Sequence, residues 1–400
     1  MPFTITRRRL ARLLLGALAF CIAGYILASA LTRFTTDTLP SSLSQDPADG
    51  PRPIQLKHHP GDFIDPPFTF SAPPAEELVS GCLLFITRTI SLTRVRRTMF
   101  DIEKRFNDRY HYPYVFLSEE PFSDQFQKAV RAMANGASVE FGLITENWGY
   151  PDWVDRSRAH NEALDWADRN DMDADTQGYR HMVRYWAQPF ADHPALQKYR
   201  YVWRLEPGAH YTCDFVEDPF TLMQSRNLTY GFAISIQDNT DSIPSLWATA
   251  QSFMHDNLHM MLSRDNSLEW LLTRHSSGLV EFNRCLFLTN FEIVDLTFVR
   301  SQLYRKLFEY LDRRSGFYYE RWSDASVRSL AAAMFLKSDD VHWFSDVGYK
   351  HDFLQQCPSE LNRQMLCHCD PKKSTHMYPM SCSARWSDGK LGVDPRNLIQ

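Results

Sequence analysis

At 400 residues and 44% apolar composition, the chain is long enough for one large domain with a sizeable core. Its 43 basic and 48 acidic residues leave a net charge of −5, which excludes the electrostatic footprint of a nucleic-acid-binding protein. The 10 Trp, 17 Tyr and 27 Phe serve as core or as stacking surface for flat ligands and sugars, and no internal repeat is visible.

The N-terminus carries Arg7, Arg8, Arg9 and Arg12 ahead of an apolar run from Leu13 to Leu31. That run is about long enough to span a bilayer as a helix, and the preceding basic residues keep the N-terminus cytosolic. The expectation is a cytosolic tail over 1–12, a signal anchor over 13–31 and a lumenal remainder. A cleaved signal peptide is the rival reading, with Ala28-Ser29-Ala30 as a cleavage-like site. From 32 to 74 the chain turns rich in Pro, Ser and Asp, a composition that buries too little apolar surface to fold alone, and is predicted to be a stem. Alternatively, Phe63, Ile64, Phe68 and Phe70 dock it along the domain. The globular part then runs over 75–400.

"GCLLFITR" (81–88) predicts a buried first strand, and "YPYVFLSEEPF" a second strand ending in acids. Ser123 caps a predicted helix with apolar face Phe126, Val130 and Met133, stopping near Gly136. "YRYVWRL" (199–205) starts as a strand and ends at Glu206-Pro207-Gly208. "YGFAISI" (230–236) predicts another strand, and Asn227-Leu228-Thr229 before it is a glycosylation acceptor. From Val294 to Gly316, Leu296, Val299, Leu303, Leu307 and Leu311 share one helical face. Asp324 is a candidate N-cap for a helix with Val327, Leu330, Ala331 and Met334 inward. Alternating strands and helices predict an α/β sheet with helices packed on it. Seven cysteines lie beyond the anchor, so at least one is expected to be unpaired. Cys367-His368-Cys369 fits no standard zinc module.

An α/β sheet binds ligands at the carboxyl ends of its strands, which is where Glu206 falls. A strand-end carboxylate is either a solvated turn residue or a ligand for a hard divalent cation held on rigid backbone. Alone, Glu292 in "NFEIVDL" reads as a helix cap alongside Asp295, and His351 reads as a surface or core histidine. Arg180, Arg184, Arg204 and Arg321 pair with structural acids or face a phosphate.

Several long motifs occur in order: "FNDRYHYPYVFLSEEPF", "YRHMVRY", "YRYVWRLEPGAHYTCDFVEDPF", "CLFLTNFEI", "GFYYERWSDASVRSLAA" and "VGYKHDFLQQCP". Over 81–400 the chain resembles the fungal Golgi α-1,2-mannosyltransferases that elongate O-linked and N-linked mannans, glycosyltransferase family 15. The resemblance implies a GT-A-like domain with a Rossmann-like mixed sheet and transfer of mannose from GDP-mannose, with Mn²⁺, to mannose on a glycoprotein, retaining configuration. It also implies a single-pass type II protein of the Golgi membrane. By the resemblance, Glu206 and His351 are the metal ligands, Glu292 is the candidate nucleophile, and Tyr179 lies near the donor, where it positions rather than attacks. Arg88, Arg184 and Asp324 are the implied donor-side contacts. A divalent ion neutralises a departing diphosphate, and a carboxylate bonds to the sugar carbon or stabilises positive charge there.

The departures cluster. The family's "ERWGDAPVHS" reads "ERWSDASVRS", so Ser323 stands for Gly, Ser326 for Pro and Arg328 for His. Leu286 stands for His, Leu288-Thr289 for Trp-Ser, Val183 for Cys, and "RTISL" (88–92) for "RNSDL". A Gly that needs positive φ tolerates Ser poorly, and Arg for His adds a permanent charge. The implied ligands and nucleophile are all present, so an active divergent member is expected. The alternative is an impaired paralogue that binds glycans or acts as a scaffold.

Overall fold

A computed structural model describes residues 78–169, 177–261 and 265–388. The expected tail, anchor and stem lie outside these residues. Among the described residues, no helix is long and apolar enough to cross a membrane.

The first buried strand, β1 (Gly81–Ile86), pairs in parallel with β2 (Tyr114–Ser118), and β2 with β3 (Val139–Leu143). On its other side β1 pairs in parallel with β4 (Tyr201–Leu205). The sheet continues through β5 (Tyr230–Phe232), β6 (Phe291–Asp295) and β7 (Val341–Trp343), giving seven strands in the order β7-β5-β6-β4-β1-β2-β3. Only β6 runs against its neighbours, so the carboxyl ends of the other six strands share one edge.

Both faces are covered, as the unbroken apolar runs require. Alternate residues feed opposite cores: Leu84 and Val202 enter one, Leu83, Phe85 and Trp203 the other. The helices Gln177–Ala187, Gln302–Asp312 and Asp324–Phe335 pack on the first face; Leu92–Ile102 and Asp124–Met133 pack on the second. Ser123 Oγ accepts the Phe126 amide, which is the expected cap.

Three local expectations are corrected. "YGFAISI" is two strands: Tyr230–Phe232 joins the large sheet, while Ser235–Gln237 pairs with Cys285–Phe287. The helix expected from Leu296 onward breaks after Val299, because Ser301 takes an extended conformation (ψ 151°) and caps a second helix through the Tyr304 amide. Ser323, not Asp324, caps the helix that follows it, accepting the Ser326 amide at 3.0 Å. Its φ of −105° needs no glycine, so Ser323 supplies a cap without strain.

Disulfides join Cys213 to Cys367, Cys285 to Cys382 and Cys357 to Cys369, and among the described residues buried Cys82 is the free thiol. The cysteines flanking His368 are thus spent on disulfides. Cys285–Cys382 spans 97 residues, a loop long enough for a cross-link to restrict the unfolded chain strongly. Cys382→Ser paired with Cys285→Ser is expected to lower stability by ~2–5 kcal/mol, read as a lower urea midpoint with an otherwise native circular-dichroism spectrum.

Candidate active site

Glu206 is placed by a turn that its sequence dictates. Pro207 and Gly208 occupy the two central positions, Gly208 has φ +92°, and the Ala209 amide returns to the Glu206 carbonyl at 3.0 Å. That is the residue pattern of a type II turn. Thr98 of the helix Leu92–Ile102 locks it: its hydroxyl bonds the carbonyls of Glu206 (3.0 Å) and Ala209 (2.9 Å) and takes the Gly208 amide (3.0 Å). The positive φ is what requires glycine here; a Cβ would also meet the Arg94 side chain, which is exposed and can move aside.

The turn forms one wall of a pocket of about 210 Å³ at the carboxyl edge of the sheet, which Arg88, Arg94, Trp148, Tyr179 and Glu206 also line. Arg88 follows β1 and is ion-paired with Glu119, which follows β2. Tyr179 projects from the first turn of the helix Gln177–Ala187, with the Arg321 guanidinium 5.1 Å from its ring. A larger cavity of about 530 Å³, bordered by Thr229, Phe298 and Leu336, contains none of the expected site residues.

Behind Glu206 lies a charged cluster. Glu206 Oε2 accepts Arg204 Nη2 at 3.1 Å, and Arg204 Nη1 donates to Asp324 Oδ2 at 2.5 Å. Thr289 donates to the same Asp324 oxygen at 2.6 Å. The Arg204 guanidinium also stacks 4.2 Å over Trp186, a contact that favours a desolvated cation. Directly opposite Arg204 in register stands Glu292 on β6. Glu292 is 1% exposed, and its Oε2 takes Arg328 Nε at 3.2 Å. Burial pushes the Glu292 carboxyl above the usual carboxylate range; Arg328 and then Arg204 draw it back down. Asp295, not Glu292, caps the next helix. Three carboxylates (Glu206, Asp324, Glu292) thus face two guanidiniums (Arg204, Arg328), and the most accessible carboxylate is Glu206.

His351 reaches the same edge through Asn290. Phe291 pairs with Leu205, so one step further Asn290 lies level with Glu206. Asn290 Nδ2 is 3.1 Å from His351 Nδ1, and the Asn290 carbonyl takes the Tyr349 hydroxyl at 2.8 Å. With Nδ1 occupied, His351 Nε2 is buried and has no hydrogen-bond partner. A buried imidazole nitrogen without a partner and a partly exposed carboxylate are ligand types that suit a divalent cation.

Arg184 goes elsewhere. Its guanidinium grips Asp312 with two bonds of 2.7 Å and gives a third to the Asn147 carbonyl. Both side chains are buried, and Arg184 is not among the residues lining the pocket around Glu206. Asp324 is likewise wholly engaged inside the fold. Sequence reasoning missed Glu119, Thr98, Trp148 and Thr289. For Thr98 and Glu119 the partners lie 108 and 31 residues away, and no local pattern marks them.

A family profile described as glycolipid 2-alpha-mannosyltransferase matches residues 62–391. The chain is 36% identical over 315 residues to O-glycoside alpha-1,2-mannosyltransferase homolog 3 of Schizosaccharomyces pombe, covering 78% of this chain and 83% of that one. It is 35% identical over 339 residues to the glycolipid 2-alpha-mannosyltransferase of Saccharomyces cerevisiae, covering 84% and 74%. Among solved structures it is similar to the S. cerevisiae mannosyltransferase Ktr4p in complex with GDP (TM-score 0.74, 33% identity, 82% of this chain and 86% of that). It is also similar to core-mannan synthase A of Aspergillus fumigatus in its Mn/GDP form (TM-score 0.73, 30% identity, 81% and 88%).

Proposed function

The chain belongs to the glycolipid 2-alpha-mannosyltransferase family, and from that premise we propose that it transfers mannose from GDP-mannose to a mannose hydroxyl of an O-linked or N-linked glycan, forming an α-1,2 linkage with retention. The observation that carries this reading is the pocket at the carboxyl edge of a GT-A-like sheet, where Glu206, Arg88 and Tyr179 converge. GDP in Ktr4p and Mn with GDP in core-mannan synthase A support the same donor and metal for this chain.

Glu206 and His351 are the residues that would hold Mn²⁺. When bound, the cation supplies positive charge against the departing diphosphate. Arg88 presents a guanidinium at the pocket wall, suited to phosphate oxygens, and Tyr179 offers a hydroxyl and a ring face to the donor. Glu292 supplies the carboxylate for the sugar carbon. Asp324 acts through Arg204, which keeps Glu206 in its orientation.

The proposed setting is the Golgi membrane, with 13–31 as a type II anchor and 75–400 in the lumen. Three disulfides and the exposed Asn227 sequon support a secretory compartment.

The test incubates the purified protein with GDP-mannose, Mn²⁺ and α-methyl mannoside, with and without EDTA, and measures mannosyl product and GDP release. Disaccharide that forms with Mn²⁺ and disappears with EDTA is the expected result. The absence of turnover across a panel of mannosides, with Mn²⁺-dependent GDP binding intact, would instead identify a non-catalytic paralogue.

A further inference from the structure

Four charged side chains form a closed square beneath the pocket. Arg204 and Glu292 stand opposite each other on β4 and β6. Asp324 and Arg328 stand one turn apart on the helix above them. The pairing is crossed: Arg204 bonds Asp324, and Arg328 bonds Glu292. Arg328 is 0% exposed, and each of its three nitrogens donates a bond: Nε to Glu292, Nη1 to the Tyr304 hydroxyl at 2.7 Å and Nη2 to the Trp186 carbonyl at 3.0 Å. A guanidinium tied at three points to two helices and a strand has a fixed position, and so does the carboxylate oxygen it holds. The other oxygen, Glu292 Oε1, is buried and makes no hydrogen bond of normal geometry. The Tyr230 hydroxyl, on the strand beside Glu292, lies close to the same carboxylate.

We infer that Arg328 is a positioning residue for the transfer: by holding Oε2 of Glu292 it fixes the charge and the orientation of that carboxylate, and with them the direction in which Oε1 points. This rests on the reading of Glu292 given above. The charged and titratable groups facing Glu292 are Arg328, Arg204, Asp324, Tyr304 and Tyr230. Of these, the two arginines and the Tyr230 hydroxyl, as a donor, favour its ionised form. Burial and Asp324 favour the neutral form. Without Arg328, only Arg204 and the Tyr230 hydroxyl oppose burial, and Arg204 is already committed to Asp324 and Glu206.

The test compares wild type, R328Q, R328K and E292Q over pH 5–8. In R328Q, kcat is expected to fall at least tenfold at pH 7, with the donor KM changed less than about twofold. Its acid limb should move to higher pH. R328K keeps the charge but not the three-point hold, so its acid limb should stay at the wild-type position while kcat falls severalfold.

A second readout needs no activity. A buried carboxyl with a raised folded pKa penalises the fold above that pKa, and the penalty lifts as pH falls through it. R328Q should therefore melt furthest below wild type at pH 8 and closest to it at pH 5. If R328Q does not fold, the acid limb and kcat of R328K carry the test. A folded R328Q with wild-type kcat and an unmoved acid limb, while E292Q is inactive, overturns the role of Arg328 alone. An E292Q that turns over like wild type overturns the premise with it.

Discussion

Glu206→Gln is expected to reduce mannosyl transfer by about a hundredfold or more while leaving the fold in place. Glutamine keeps the shape of the side chain and still accepts a bond from Arg204, so the turn and its Thr98 lock survive. It removes one formal negative charge from a cluster in which three carboxylates face two guanidiniums, and so removes the excess that favours a divalent cation. The stability change should be within ~1 kcal/mol, because a partly exposed hydrogen-bonded group is replaced by a neutral one. Mn²⁺ titration followed by electron paramagnetic resonance checks the cause directly: free Mn²⁺ signal should persist in the variant where it is quenched in the wild type. A variant that binds Mn²⁺ normally and still loses turnover would assign Glu206 another role.

The second large effect separates structure from site at Arg184. Asp312→Ala leaves the Arg184 guanidinium buried with its main partner gone, at a cost of ~3–5 kcal/mol. The double variant R184M/D312L fills the same space with apolar groups. It should recover most of that loss, since a buried ion pair often contributes little over a well-packed apolar pair. Urea denaturation measures both, and donor KM is the control. An Arg184 that serves only the fold predicts a KM within about twofold of wild type in the double variant. A severalfold rise in KM would return Arg184 to the donor pocket.

What the sequence made legible follows from how local each signal is. Strand, carboxylate, Pro and Gly in immediate succession located Glu206 on a turn at a strand end, because every part of that statement concerns neighbours in the chain. The caps were harder. Ser323 and Asp324 are both good capping residues, and what decides between them is Arg204, 120 residues from Asp324, which draws that carboxylate away. Ser301 lies within a continuous helical pattern of leucines, and its break reflects backbone conformation that periodicity does not report. The Arg184–Asp312 pair was hidden for the same reason as the Arg204–Asp324 pair: the two residues are 128 apart in the chain. Arg328 was visible as a departure from the family motif, but its pairing with Glu292 appears only when helix and sheet are packed.

The three disulfides also set an order of events during synthesis. Cys213 waits for Cys367, Cys285 waits for Cys382, and Cys357 waits for Cys369. All three of the late partners lie beyond the strands of the large sheet, at Cys367, Cys369 and Cys382. The sheet strands up to β6 can assemble as the chain emerges, yet the hairpin that carries His351 (Tyr349–His351 with Leu354–Gln356) is flanked by cysteines still unpaired at that stage. Synthesis must therefore have passed Cys369 before the histidine beside Asn290 is covalently secured. A nascent chain would acquire its Glu206 turn well before its complete site.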